Sequence, residues 1–473
     1  MEFISRDIEM RLLEEALHSK QSEMIAVIGR RRVGKTQLIK EVFGKHFDFE
    51  MTGMQYTATA LQLENFHKQL LLYSGRKKIT QPVNWLEAFA QLQQHLLSKK
   101  TTRKKVVFFD ELPWIATARS GFLEALGYFW NSWAAHNGVV IIICGSAASW
   151  MISQVVHHKG GLHNRITLRI HLKPFTLAET ALFLRKSGIT LTAYQIIQLY
   201  MVTGGVPHYL KEIRKGESVS QNIDRMCFSV NGLLRDEFDK LYTSLFDSAE
   251  NHIAIIRALS SKWMGLTRTQ LVEETGLTDG GSFTRLLTEL EQSDFITVIP
   301  PFNKKKKDTL YRLTDHYSLF YLKFMESRKR SGEGSFLRLE QSPVWRGWCG
   351  YAFENICFTH LPFIKASLGI AAVYTEVSSF VRKGVNGQKG VQADMLIDRA
   401  DGIINLCEIK FQDAPFLLTK KYAEELRAKR AAIKSEAAKK SVFITLVTCF
   451  GVQENAYAGE IVQSQVTMEM LFK

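Results

Sequence analysis

The stretch Met24-Ile25-Ala26-Val27-Ile28-Gly29-Arg30-Arg31-Arg32-Val33-Gly34-Lys35-Thr36 decides how this chain is read. A short apolar run, suited to a buried strand, enters a glycine loop, and Gln37-Leu38-Ile39 then begins a helical pattern. Strand, loop and helix start are the context that the pattern G-x-x-x-x-G-K-[ST] requires. Glycines at 29 and 34 let the backbone turn tightly, so successive N–H groups face phosphate oxygens, and the helix N-terminus adds partial positive charge. In such a loop Lys35 reaches the β- and γ-phosphates and the Thr36 hydroxyl joins a Mg²⁺ shell. The stretch therefore predicts binding of ATP or GTP through Gly29, Arg32, Val33, Gly34, Lys35, Thr36 and Gln37.

Two further apolar runs extend this reading. Lys105-Val106-Val107-Phe108-Phe109 predicts a strand that ends in Asp110-Glu111. An acid at the carboxyl end of such a strand can hold the hydrated Mg²⁺, and the next can polarise an attacking water. Asp110 takes the first role and Glu111 the second. Val139-Val140-Ile141-Ile142-Ile143-Cys144 ends in Gly145-Ser146, and Ser146 is the candidate sensor of the γ-phosphate. Continuous Val/Ile runs separated by helical segments indicate a parallel sheet covered on both faces, an α/β core.

The 473 residues suggest about three domains. A net charge of +14 and a pI near 9.3 favour polyanionic partners, nucleic acid first among them. The longest apolar run is far too short to span a bilayer, and the first residues carry no secretory apolar segment. Six scattered cysteines without a C-x-x-C pair suit a reducing cytoplasm better than zinc sites or disulfides. His157, His158 and His163 lack carboxylate or thiol company and read as a solvated loop, while Trp130 and Trp133 read as core.

Gly-Arg-Arg-Arg-Val-Gly-Lys-Thr, Phe-Phe-Asp-Glu-Leu-Pro-Trp and Cys-Gly-Ser-Ala together resemble the archaeal-type ATPases of the AAA+/STAND group. The resemblance implies ATP as the nucleotide, with Mg²⁺. Phe3-Ile4-Ser5-Arg6 is similar to that group's F-[IV]-x-R entry, which implies that Arg6 sits near the base, although Ser5 replaces the usual glycine. Thr203-Gly204-Gly205-Val206-Pro207 resembles its G-x-P element, implying that Pro207 contacts nucleotide from a helical lid. Asn164-Arg165 resembles the arginine after the sensor strand, acting in cis, in trans or in packing. A nucleotide-dependent homo-oligomer is a further implication of the resemblance.

From about Asp247 the pattern changes to short helices. Thr267 is placed to cap one, Gly276-Leu277-Thr278 makes a turn, and Phe283, Leu286, Leu287 and Leu290 fall on one face of the next. Phe295–Ile299 and Thr309–Leu313 then read as strands around Lys304-Lys305-Lys306-Lys307. This is the order of a winged helix, with Arg285 facing a groove of double-stranded DNA and Lys304, Lys305, Lys306 and Lys307 contacting phosphate. A packing module with solvated lysines is the alternative.

After a Gly/Ser-rich stretch at Ser331–Ser335, Trp345–Leu361 has helical periodicity, and two strands flank the Asp401-Gly402 turn. Strand alternation puts Glu408 and Lys410 on one face, and an antiparallel neighbour could bring Asp394 beside them. Two carboxylates and a lysine make a hard-oxygen site for Mg²⁺ or Mn²⁺, with the parts needed for phosphodiester hydrolysis. Asp394…Glu408-Ile409-Lys410 resembles the signature of the PD-(D/E)XK nuclease fold, and Glu354 matches the glutamate on that fold's first helix. The resemblance implies Glu354, Asp394 and Glu408 as metal ligands and a restriction-endonuclease-like α/β domain.

The expected organisation is an ATPase core over residues 1–172, a helical lid over 173–246, a winged helix over 247–330, a linker over 331–344 and the nuclease-like domain over 345–473. Its expected function is ATP-controlled, Mg²⁺-dependent DNA cleavage in defence, mobile-element or repair biology. The competing expectations are a nucleotide-switched DNA-binding scaffold, or a signalling ATPase, with a terminal domain that does not cut.

Overall fold

The computed structural model describes residues 4–156, 162, 164–246, 248–303, 306–328, 332–382, 384 and 390–473. They form two compact units, Met1–Lys173 and Pro174–Lys473. His157, His158, His163, Lys304 and Lys305 lie outside the described residues. No helix among the described residues is long and apolar enough to cross a membrane.

The first unit is built on β1 (Glu23–Ile28), β2 (Phe47–Thr52), β3 (Lys105–Asp110), β4 (Val139–Gly145) and β5 (Leu168–His171). All pair in parallel, in the order β2-β3-β4-β1-β5. Strand alternation splits the apolar runs between two layers. Met24, Ala26, Ile28, Phe109 and Ile143 pack with the helices Thr59–Ser74, Trp85–Ser98 and Phe122–Ser132, and Trp130 and Trp133 are buried in this layer. Ile25, Val27, Phe108 and Ile142 pack on the other side with Asp7–His18 and Lys35–Phe43. The Ile28↔Gly145 and Phe109↔Ile143 registers bring the strand ends to one edge of the sheet.

The second unit opens with helices Leu177–Lys186, Ala193–Thr203, Pro207–Leu210, Val219–Cys227 and Glu237–Thr243. Reciprocal caps at Thr176/Glu179, Thr192/Gln195 and Ser218/Gln221 fix three of their starts. Gly205 is required by its left-handed φ of 67° and because a side chain there would strike Phe175 O. Next come the helix Ala249–Ser260, β6 (Leu266–Thr267), the helices Arg268–Thr275 and Gly281–Gln292, then β7 (Ile296–Ile299) and β8 (Leu310–Leu313). These strands form an antiparallel sheet in the order β6-β8-β7.

The terminal region places the helix Pro343–Thr359 before β9 (Thr375–Arg382), β10 (Val391–Arg399) and β11 (Ile403–Lys410). The helix Lys420–Glu436 then leads to β12 (Ser441–Thr448), and β13 (Val462–Thr467) follows. The sheet is mixed, in the order β13-β12-β11-β10-β9, antiparallel from β9 to β11 and parallel from β11 to β13.

Two segments are tied into the second unit. Residues 331–344 do not act as a loose linker where they are described. Ser335–Glu340 is helical, Phe336 and Leu339 are buried, and Asp224 accepts hydrogen bonds from the Gly334 and Phe336 amides at 2.7 Å each. The hairpin between β7 and β8 is also not free at its base. Phe302 N donates to Ser379 O at 3.0 Å, Ser379 N to Pro300 O at 3.2 Å, and Asn303 to Glu436 O at 2.9 Å. Phe302, only 5% exposed, is buried beside Phe380, Ala393 and Leu396 in the terminal core. Phe302→Ala is expected to cost roughly 3–5 kcal/mol. The loss would appear as a lower denaturant midpoint and faster amide exchange along β9.

Candidate functional site

The carboxyl edge of the parallel sheet gathers the nucleotide-type residues. Gly29 leaves β1 where a Cβ would lie 2.3 Å from Leu172 O, so no larger residue fits there. Gly34, at φ 95°, starts the helix Lys35–Phe43. Val33 is buried in the core, which leaves only its backbone to face a ligand, and Gln37 is exposed. Arg32 adopts a left-handed φ of 74° within the loop.

Lys35 Nζ donates to Gly29 O at 2.8 Å, Arg30 O at 3.1 Å and Ser146 Oγ at 3.2 Å. Burial lowers its pKa, while Glu111 and Asp110 pull it the other way. Thr36 Oγ1 donates to Asp110 Oδ2 at 2.9 Å, and Asp110 Oδ1 accepts from Glu111 N at 3.0 Å and Cys144 Sγ at 2.7 Å. Glu111 accepts from Ser146 twice, from Oγ at 2.6 Å and N at 3.0 Å. The hard oxygens of Thr36 and Asp110 lie side by side and fit a Mg²⁺ ion accompanying bound phosphate.

Arg6 is buried at this same edge, donating to Lys173 O at 2.6 Å, next to where Leu172 N bonds Ile28 O. Arg165 is not brought together with these groups. It is exposed just before β5, where Thr167 bonds Met24 at the opposite end of β1. A six-residue strand, about 20 Å long, separates it from the loop of its own chain. Pro207 belongs to the second unit, buried in the first turn after Gly204-Gly205.

The second unit assembles a different cluster. A register shift in β10 between Ala393 and Leu396 sets Asp394 against β11, where its Oδ2 accepts from Ile409 N at 2.9 Å and Lys410 Nζ at 3.4 Å. Lys410 Nζ lies 3.5 Å from Glu408 Oε2, so one ammonium stands between two carboxylates. Glu408, fully buried, also accepts from Lys429 Nζ and from Tyr422 OH, each at 2.6 Å. Both partners come from the helix Lys420–Glu436. Lys429 was missed in the sequence, although it falls between Leu426 and Ile433, both buried on the inner face of this helix, where a cation needs an acid.

Arg312 was missed as well. Its Nη2 donates to Glu354 Oε2 at 2.9 Å and its Nε to Asn355 Oδ1 at 2.5 Å, and its guanidinium lies over the Phe358 ring at 5.0 Å. Burial raises Glu354 to about 7, with Arg312 opposing and Asp394 adding to the rise. Glu354, expected as a metal ligand, is paired with Arg312 in this arrangement. Among the described residues no three His, Cys, Asp or Glu side chains are placed to hold a metal ion. Asp394 and Glu408 remain as a two-carboxylate site whose oxygens suit a hard cation, at present answered by Lys410 and Lys429.

On the helix Gly281–Gln292, Arg285 is exposed and donates to Glu289 Oε1 at 2.8 Å, while the other Glu289 oxygen meets His252 Nε2 at 2.8 Å. Lys307 is exposed, and Lys306 begins the short turn Lys306–Asp308.

Residues 3–213 match the family described as ATPase domains predominantly from Archaea. This part of the chain is an archaeal-type P-loop ATPase domain. An uncharacterized protein of Methanocaldococcus jannaschii is 23% identical over 359 residues, covering 75% of this chain and 76% of that protein. Among solved structures, a Walker-type ATPase of Pyrococcus abyssi is similar with a TM-score of 0.49 at 16% identity, over 68% of this chain and 96% of that one. The ORC2 protein of Aeropyrum pernix, in ADPNP–ADP complexes, gives 0.42 at 14% identity, over 72% and 96%.

Removing Arg312 while Glu354 stays is expected to cost about 3–5 kcal/mol, because a buried ion pair loses one partner. The Arg312→Ala/Glu354→Gln double variant should recover part of that loss in urea titrations. The raised Glu354 value also sets a sign. Above the ordinary 4.5 the folded chain holds this proton longer than the unfolded chain, so the group's contribution to stability falls between pH 4.5 and about 7. Wild-type stability measured relative to Glu354→Gln should decline across that window and level off above it.

Proposed function

We propose that the protein hydrolyses ATP in its first unit and uses that cycle to control a nucleic-acid-binding second unit. The observation carrying the reading is the meeting of Lys35, Thr36, Asp110, Glu111 and Ser146 at one sheet edge through contacts of 2.6–3.2 Å. On binding, Lys35 would exchange the Gly29 and Arg30 carbonyls for β- and γ-phosphate oxygens, and loop amides would take the remaining charge. Thr36 and Asp110 would hold Mg²⁺, which neutralises charge building on the phosphates. Glu111 has its carboxylate bonded to Ser146, so it must release that partner before it can orient a water. Ser146, which touches both Lys35 and Glu111, is suited to report the γ-phosphate to the water-positioning group. Arg165, exposed at the far edge, supports service to a neighbouring copy in a nucleotide-dependent homo-oligomer. Lys35→Ala should abolish ATP binding. Glu111→Gln should keep binding and slow hydrolysis by about 10²–10⁴-fold. Equal turnover by Glu111→Gln and wild type would remove Glu111 from its role.

The nucleic-acid side of the reading rests on the +14 charge and on the helix–turn–helix with its hairpin, taken here as a winged helix presenting Arg285 and Lys307. For the terminal domain we propose a PD-(D/E)XK-like phosphodiesterase. What supports it is the placement of Lys410 between Asp394 and Glu408 at a strand irregularity. Asp394 and Glu408 would hold Mg²⁺ or Mn²⁺, which supplies Lewis-acid stabilisation of the phosphodiester, and Lys410 would offset the developing negative charge. A specific observation favours the alternative of a DNA-binding scaffold that does not cut: Glu354 and Glu408 are already met by Arg312, Lys410 and Lys429. Plasmid cleavage with Mg²⁺ or Mn²⁺ separates the two. Cleavage lost in both Asp394→Ala and Lys410→Ala supports the nuclease, whereas ATP-dependent DNA binding without any cleavage by the wild type supports the scaffold.

A further inference from the structure

A cavity of about 760 Å³ opens between the turn Ser261–Thr267, the helix it precedes, the base of the hairpin and the outer strand β9. Its size falls in the usual range of about 300–1,000 Å³ for clefts that take nucleotides and other small ligands. Trp263 lines it and stacks on Tyr351, with ring centroids 3.6 Å apart and planes 14° from parallel. The indole nevertheless stays 41% exposed. A large aromatic group held rigid by a neighbour, yet left open in a cavity wall, gives a preformed flat surface.

The other lining groups divide by chemistry. Lys262 and Arg382, both exposed, supply positive charge, and Gln270 and Asp308 supply hydrogen-bond donors and acceptors. The position adds a link to the carboxylate cluster. Tyr351 stands three residues before Glu354, on the same helix face, and the charges of Glu354, Asp394 and Lys410 reach its hydroxyl.

We propose that this cavity receives one unstacked base of a single-stranded or locally opened nucleic acid, with Trp263 as the stacking platform and Lys262 and Arg382 meeting the adjoining phosphates. The inference rests on the nucleic-acid reading above and deepens it. A base inside a duplex has both faces covered by its neighbours, so only an unpaired or extruded nucleotide can offer its face to the indole. Gln270 and Asp308 can then meet the base edge that pairing would otherwise occupy. A planar base bearing phosphate could also come from a free nucleotide, and the charge of +14 favours the polyanion.

The test is fluorescence anisotropy of the full chain with a short labelled single strand and with the blunt duplex of the same sequence, alongside calorimetry with a mononucleotide. Trp263→Ala should weaken single-strand binding roughly five- to hundred-fold and leave duplex binding unchanged, while Trp263→Phe keeps most of the affinity. Melting temperatures of both variants matching the wild type would show that the fold is intact. Single-strand affinity of Trp263→Ala equal to wild type overturns the base pocket while the nucleic-acid reading stands. Failure of the wild type to bind either oligonucleotide sinks that reading, and this inference with it. Trp263-dependent binding of the mononucleotide with no binding of either oligonucleotide would likewise overturn the proposal, because the occupant would then be a free nucleotide.

Discussion

The carboxylate of Asp110 is the fixed point of the first unit. It is buried at the end of β3, and its two oxygens accept from the phosphate loop through Thr36, from its own strand end through the Glu111 amide, and from β4 through Cys144. A buried anion lacks water and must be answered by protein donors, so its position dictates where each donor stands. The helix after the phosphate loop cannot slide along the sheet without breaking the Thr36 bond. Glu111 and Ser146 inherit their places from the same arrangement. Parallel register supplies the rest, because all five strands bring their carboxyl ends to one side.

Much of this core was legible in the sequence. Three of its strands are uninterrupted apolar runs, and a strand buried on both faces reads that way. β2 was hidden by Asp48 and Glu50. Asp48 sits in the interior only because Arg103 grips both its oxygens, at 2.8 and 3.1 Å, and Val106 N donates at 2.9 Å. That partner lies far along the chain, so no local pattern could announce it. β5 is only four residues long, and Arg169 and His171 interrupt its apolar pattern. The acids of the second unit were visible as a spacing, but their neutralisation was not. Arg312 lies on a hairpin strand and meets Glu354 only through folding, and Lys429 looked like one of many lysines on a basic helix.

The two clusters differ in how they hold charge. At the sheet edge of the first unit, a lysine bonds to backbone carbonyls and a serine, partners that a phosphate can replace at little cost. In the second unit, carboxylates meet full positive charges at 2.6–3.5 Å, and any incoming cation must compete with those ammonium groups. The first arrangement is poised for exchange, while the second is held by stronger bonds and needs a larger stimulus to open.

The seating of Phe302 bears on how this chain can be divided. A hairpin from the middle region completes the interior of the terminal domain, so neither piece has a finished core without the other. Cutting the chain before the helix Pro343–Thr359 would not yield a shorter, well-behaved protein. It would leave an aromatic side chain and an unpaired strand connection facing solvent, and a hollow in the fragment removed. The second unit therefore packs as a single piece, whatever the number of domains drawn within it.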